Sequence, residues 1–280
     1  MFTFMRRYRG RLKTCILDWS GTTADKYVIA PAVVFQKVFE SAGVPISMEE
    51  ARLPMGLRKD LHIKAIMDMP EVQARWDLTH GKHPTQTDAD RLFKQFIPDQ
   101  VACLPKYSKL IDGVPATVQT LREEYNMKIG MTTGFNREMC DVLLEESRLQ
   151  GFSPDTCVAG DEVEHGARPS PSMVFKNMDI LGSINTDAVV KVDDTVGGIG
   201  EGLNAGCWTV GVSRYSNYMN VDSLEHEATL SVRELEKRNK EEKTKLYNAG
   251  AHYVINTIAQ LPLIIGAINA RLIRGETAKS

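Results

Sequence analysis

Short apolar runs that stop at polar residues recur through the chain. Thr14-Cys15-Ile16-Leu17 is a run of strand formers that ends at Asp18. Residues 128–133 read as a strand ending in the hydroxyls of Thr132 and Thr133, and 156–159 as another. Residues 188–194 form a third, ending in the carboxylates of Asp193 and Asp194, and 207–212 a fourth. Helix-like stretches separate them after Asp112, the alternation of a parallel sheet in an α/β fold. Such sheets gather the carboxyl ends of their strands at one edge, where ligands bind. Asp18, Thr132, Thr133 and Asp194 should meet there.

Residues 27–105 have a different pattern, with no convincing strand. Pro31 can open a helix that puts Val34, Phe35, Val38 and Phe39 on one face, with Gly43 beyond its end. Ser47-Met48-Glu49-Glu50 fits a capping box that opens a second helix. Helical spacing returns at 57–67 and 88–96. Residues 234–245 are a dense charge run, which reads as a solvated helix face.

At 280 residues the chain can hold one large domain or two small ones. A net charge of −2 gives no reason to expect nucleic acid or an anionic membrane as partner. The most apolar stretch, 261–268, is short and contains Pro262 and Gly266, so no membrane span is expected. The basic segment 1–13 lacks the apolar core of a signal peptide and reads as a frayed terminus rather than a transit peptide. Cys15, Cys103, Cys140, Cys157 and Cys207 are odd in number and show no C-x-x-C spacing. Reduced thiols and a cytoplasmic location fit them better than a disulfide frame or a zinc site.

The chemistry centres on Asp18-Trp19-Ser20-Gly21-Thr22-Thr23. Gly21 allows a sharp turn, and the two threonines offer hydroxyl and backbone donors. Alone, Asp18 could be a turn-forming aspartate after a strand. The run resembles the D-x-D-G-T loop of the haloacid-dehalogenase superfamily, in which the first Asp attacks phosphorus and the second protonates the departing oxygen. Ser20 stands where that second Asp belongs. A further resemblance, to the phosphonoacetaldehyde hydrolases (phosphonatases), runs from Cys15 to Leu261. It includes Glu50-Ala51-Arg52, Met55-Gly56-Leu57-Arg58-Lys59-Asp60-Leu61-His62, Thr132-Thr133-Gly134 and Arg168-Pro169. It continues through Lys191-Val192-Asp193-Asp194-Thr195, Asn204-Ala205-Gly206-Cys207-Trp208-Thr209-Val210-Gly211 and Gly250-Ala251-His252. The shared order of these strings is more specific than any one of them.

This resemblance implies a Rossmann-like parallel-sheet core of the haloacid-dehalogenase type, at 1–26 and 106–280, with an inserted all-helical cap at 27–105. It implies Asp18 as nucleophile, Lys59 as the amine that forms a Schiff base, His62 as its aid in proton transfer, and Arg168 as the cation on the phosphoryl group. Thr132, Thr133, Gly134, Met55 and Gly56 would surround a small phosphonate substrate. Mg2+ would rest on Asp18, Asp194 and the backbone carbonyl of Ser20, with Asp193 either helping or orienting the loop. A homodimer through cap helices belongs to the same resemblance.

Lysine and missing acid fit together chemically. Direct cleavage of a carbon–phosphorus bond expels a carbanion, whereas a protonated imine on Lys59 acts as an electron sink and lets a neutral enamine leave. No alkoxide forms, so Ser20 can replace the usual acid. A lysine pressed under a cap beside Arg168 loses its proton more easily through desolvation and like charge. Three positions depart from the family pattern: Gly198 where many superfamily members carry an acid, Phe135 where some phosphonatases have tyrosine, and Val28 where some have cysteine. Two other readings remain: a Mg2+-dependent phosphatase or phosphomutase acting on a phosphate ester, and a non-catalytic scaffold.

Overall fold

A computed structural model describes residues 8–279; residues 1–7 of the basic N-terminal segment and Ser280 lie outside the described residues. Six strands, β1 (Thr14–Leu17), β2 (Lys128–Thr132), β3 (Thr156–Val158), β4 (Val189–Asp193), β5 (Trp208–Val212) and β6 (Tyr253–Ile255), form one parallel sheet in the order β3-β2-β1-β4-β5-β6. The order reverses at β1, which pairs with β2 on one side and β4 on the other. That reversal opens a crevice above the carboxyl end of β1, next to Asp18. The β1, β4 and β5 runs are buried throughout, as strands covered on both faces should be.

Between β1 and β2 lie α1 (Ile29–Ser41), α2 (Met48–Arg52), α3 (Lys59–Met67), α4 (Pro70–His80), α5 (Gln86–Tyr107) and α6 (Val114–Glu123). The helical insertion expected after the Asp18 loop is present. Val34, Phe35, Val38 and Phe39 of α1 are all buried, as their spacing predicts. The capping box at Ser47 also forms: Ser47 accepts the Glu50 N–H while Glu50 accepts the Ser47 N–H.

Three elements differ from the sequence reading. Helix α3 starts at Lys59, not at 57, because Gly56 at φ +100° turns the chain first. Helix α5 extends from Gln86 to Tyr107, past Pro98 and Pro105, because Ala89, Leu92, Phe96, Gln100 and Leu104 give it a continuous buried face. Burial there outweighs the local penalty of proline. Strand β6, at the sheet edge, is only three residues long, too short to give a periodic signal.

The remaining helices are α7 (Arg137–Leu149), α8 (Ser172–Leu181), α9 (Val196–Ala205), α10 (Leu224–Thr229), α11 (Val232–Asn248) and α12 (Leu261–Ile273). The charge run at 234–245 lies on α11 and is mostly solvated, but Glu242 turns inward. Burial pushes its carboxyl up to about 7. Among the described residues no helix is long and apolar enough to cross a membrane, and all five cysteines are free.

Candidate active site

Asp18 follows β1 directly, and its N–H bonds to the Val192 carbonyl of β4 at 3.0 Å. The loop then folds on itself. Thr23 and Ala24 donate their N–H groups to the Trp19 carbonyl, and the Thr23 hydroxyl donates to the Asp18 carbonyl at 2.9 Å. β4 delivers Asp193 and Asp194 beside it. Oxygens of Asp18, Asp193 and Asp194 lie within 4.8 Å of one another, all buried. Burial and the neighbouring Asp193 push the Asp18 carboxyl up to about 6, against the pull of Arg168. Burial and the other two aspartates raise Asp194 well above the usual carboxylate range.

Asp193 and Asp194 differ in what holds them. Asp193 Oδ2 accepts from Lys191 Nζ at 2.7 Å, and its Oδ1 accepts from the N–H and hydroxyl of Thr195. Asp194 Oδ2 accepts the Asn217 N–H at 2.9 Å, while its Oδ1 is buried without a partner. A buried carboxylate oxygen left without a protein partner, beside two further carboxylates, suits a divalent cation. Asp18 and Asp194 therefore fit a metal, whereas Asp193 is already satisfied by protein donors.

Arg168 supplies the opposing charge. Its guanidinium is buried, at 2.6 Å from Asp18, 3.3 Å from Asp193 and 3.2 Å from Glu201, and it also donates to the Thr132 carbonyl and hydroxyl. Thr132 donates its hydroxyl to Glu201 at 3.1 Å, so it lies behind Arg168. Burial works against the guanidinium charge, but the three carboxylates outweigh it, and Arg168 stays protonated.

The cap closes over this edge. A Cβ on Gly134 would lie 2.5 Å from the Leu57 carbonyl oxygen, and one on Gly56 would lie 3.0 Å from the Thr195 hydroxyl. Glycine at 134 permits a backbone-to-backbone approach to Leu57, and glycine at 56 lets the chain pass close over the Thr195 side chain. Lys59, in the first turn of α3, is thereby buried above Asp18. Its Nζ lies 3.8 Å from Met55 Sδ and 4.9 Å from the centroid of the Phe135 ring. Burial first, then Arg168, lowers its amine to about 8. His62 lies one turn further on, stacked on Phe35 at 4.0 Å, with Nε2 on the Ala51 carbonyl and Nδ1 unpartnered. Burial and Lys59 keep it well below the usual histidine range.

These surfaces line a small pocket formed by Asp18, Ser20, Met55, Gly56, Lys59, Thr133, Gly134 and Arg168, together with Val28 and Phe135. Of the residues singled out by sequence, Thr132, His62 and Asp194 stand outside that lining, buried behind it. A larger cleft, of about 360 Å³, opens at the opposite sheet edge beside Lys13 and Lys128, away from the carboxylates.

Four supporting residues were not assigned roles from the sequence. Glu201 and Lys191 are fully buried and complete the ionic network around Arg168 and Asp193. Asp25 accepts the N–H groups of Ile29 and Ala30, opening α1, and burial raises it to about 7. Arg52 donates to the carbonyls of Tyr27 at 2.5 Å and Val221 at 2.7 Å. Asp25 and Arg52 fasten a crossing between core and cap in which Asp25, Tyr27 and Val28 all have positive φ. The visible signal was a lysine inside the apolar Val189-Val190-Lys191-Val192 run; Glu201 carried none.

A parallel sheet with an aspartate after its first strand, a helical insertion behind it and a second acidic strand end beside it defines a class. The model of the haloacid dehalogenase-like hydrolases matches residues 12–206, and the chain belongs to that family. Phosphonoacetaldehyde hydrolase of Klebsiella pneumoniae is 41% identical over 267 residues, covering 95% of this chain and 98% of that protein. The Lysinibacillus sphaericus protein of the same name is 40% identical over 264 residues, covering 94% and 97%. The crystal structure of a phosphonoacetaldehyde hydrolase-like protein from Oleispira antarctica superposes with a TM-score of 0.94 at 35% identity, covering 99% of both chains. Within the class, this hydrolase stands with the phosphonoacetaldehyde hydrolases.

Proposed function

We propose that the chain cleaves the carbon–phosphorus bond of phosphonoacetaldehyde to acetaldehyde and phosphate. The observation that carries this reading is Lys59, buried in the same small pocket as Asp18 with its amine lowered to about 8. At pH 7.5 about a quarter of such an amine is neutral, against roughly 0.1% for an ordinary lysine. A phosphate-ester hydrolase has no use for that amine, and it would need an acid where Ser20 stands.

The neutral Lys59 amine adds to the aldehyde carbon, and loss of water with uptake of one proton from solvent leaves a protonated imine. His62 is neutral, carries an unpartnered Nδ1 and sits one turn from Lys59, which suits it to proton transfer during that step. An Asp18 oxygen then attacks phosphorus. The carbon–phosphorus bonding pair moves into the imine, giving a neutral enamine on Lys59 and a phosphoryl group on Asp18. Arg168, held at 2.6 Å from Asp18, faces the charge on the phosphoryl oxygens. Asp18, Asp194 and the Ser20 carbonyl would hold Mg2+, which when bound neutralises further phosphoryl charge. Water hydrolyses the aspartyl phosphate. The enamine takes a proton on carbon, and hydrolysis of the resulting imine frees Lys59 and acetaldehyde. Closure by Gly56 and Gly134 keeps bulk water from the reactive species.

Borohydride trapping tests the assignment. Borohydride added with phosphonoacetaldehyde should inactivate the enzyme and leave a reduced adduct on the Lys59 peptide, with none in Lys59→Arg. Phosphate release should be greater with phosphonoacetaldehyde than with sugar phosphates. An adduct confined to another lysine, or preference for sugar phosphates, would move the assignment to phosphate-ester chemistry.

A further inference from the structure

Gly198 lies in the first turn of α9, four residues after Asp194. A Cβ placed on it would fall 1.9 Å from Asp193 Cγ and 2.0 Å from Asp193 Oδ2. No side chain can stand at 198 while Asp193 keeps its conformation. The space belongs to the Asp193 carboxylate.

That carboxylate is tightly specified. Lys191 and Thr195 bond it, and the Arg168 guanidinium lies 3.3 Å away. Thr195 in turn accepts the Gly198 N–H at 3.1 Å and caps α9. Asp193, Thr195 and Gly198 thus form one connected unit. Glycine is among the poorest helix formers, so its presence in this first turn calls for a local reason. The Asp193 carboxylate is that reason.

We propose that positions 193 and 198 share a single carboxylate, supplied here from 193, and that this carboxylate positions Arg168. Asp193 acts through Arg168 and Lys191; it does not touch the reacting atoms. An aspartate at 198 would place its own carboxyl carbon one bond, about 1.5 Å, beyond a Cβ that coincides with the present Asp193 group. It would reach the same two cations once residue 193 is reduced to glycine. The proposal rests on reading Arg168 as the cation that faces the phosphoryl group.

Four proteins test it: wild type, Asp193→Gly, Gly198→Asp and the double variant. Two measurements are made on each: the urea unfolding midpoint without metal or substrate, and kcat for phosphate release per folded enzyme. Asp193→Gly should lose about 100-fold in kcat with a smaller change in KM, as removal of a charge-stabilising partner does. Gly198→Asp should have a lower unfolding midpoint or fail to fold, because two carboxylates compete for one space. The double variant should recover kcat to within about tenfold of wild type and regain most of the midpoint, a strongly non-additive outcome. A double variant that is insoluble, or no more active than Asp193→Gly, overturns the proposal. So does near-normal kcat in Asp193→Gly. Absence of phosphonoacetaldehyde turnover in wild type would instead refute the proposed reaction, and the unfolding midpoints would still decide whether the two positions share one space.

Discussion

Lys59→Met should make the protein inactive and more stable. Lys59 is buried, and its amine is lowered from 10.5 to about 8, chiefly by burial. A gap of this size means that the folded state binds the Lys59 proton less tightly than the unfolded chain does, by about 3 kcal/mol. The folded pKa lies below the unfolded one, so the penalty is present in full below pH 8. It fades as pH rises from 8 towards 10.5 and is absent above that. Methionine has a similar length, does not titrate and suits the Met55, Phe35 and Phe135 surroundings. The variant should therefore exceed wild type by about 3 kcal/mol at pH 7 and by only about 1.5 kcal/mol at pH 9.5. Lost contacts between the ammonium and the aromatic rings reduce the gain by about 1 kcal/mol. The narrowing of the gap is the more secure quantity, because constant differences in packing cancel from it. Urea unfolding at the two pH values, on protein stripped of divalent cations with EDTA, measures it directly. A gap that is the same at both pH values, or a variant less stable than wild type at pH 7, would show that Lys59 is not a desolvated amine. The neutral nucleophile required at physiological pH would then have no source.

Asp18→Asn should reduce phosphate release below detection, because an amide cannot form the aspartyl phosphate; near-normal release from the purified variant would exclude Asp18 as nucleophile. Gly134→Ala should force the Leu57 segment away, since the added Cβ would lie 2.5 Å from its carbonyl oxygen. A loss of at least about tenfold in kcat/KM is expected, with stability lowered by about 1–3 kcal/mol as in other overpacked sites. Unchanged kcat/KM would mean that the close approach of cap and core does not serve catalysis.

What could be read from the chain depended on whether a residue's neighbours lie close in sequence. Asp18 declared itself because strand, turn glycine and threonines are all local to it. The α1 face and the Ser47 capping box were legible for the same reason: periodicity and capping are decided within a few residues. For helix α5 the sequence pattern reached only 88–96; Pro98 and Pro105 oppose continuation locally, while the packing of Phe96, Gln100 and Leu104 favours it. Only the folded chain contains the second argument. β6 had no local argument at all, since its three residues become a strand only by pairing with β5.

The site divides along the same line. Lys191 was visibly out of place in an apolar strand, yet its meaning depends on Asp193 at its own strand end and Glu201 on α9. Gly198 looked like the loss of an acid. In three dimensions it makes room for one, because the first turn of α9 folds back over the end of β4. Two residues five apart can compete for one volume only where a strand turns sharply into a helix. A sequence comparison made position by position counts Gly198 as a missing carboxylate, while the folded chain retains that charge beside Arg168. Whether a third carboxylate joins Asp18 and Glu201 beside Arg168 is therefore a property of the β4–α9 turn, and the turn, rather than either position alone, is the unit that must be kept intact.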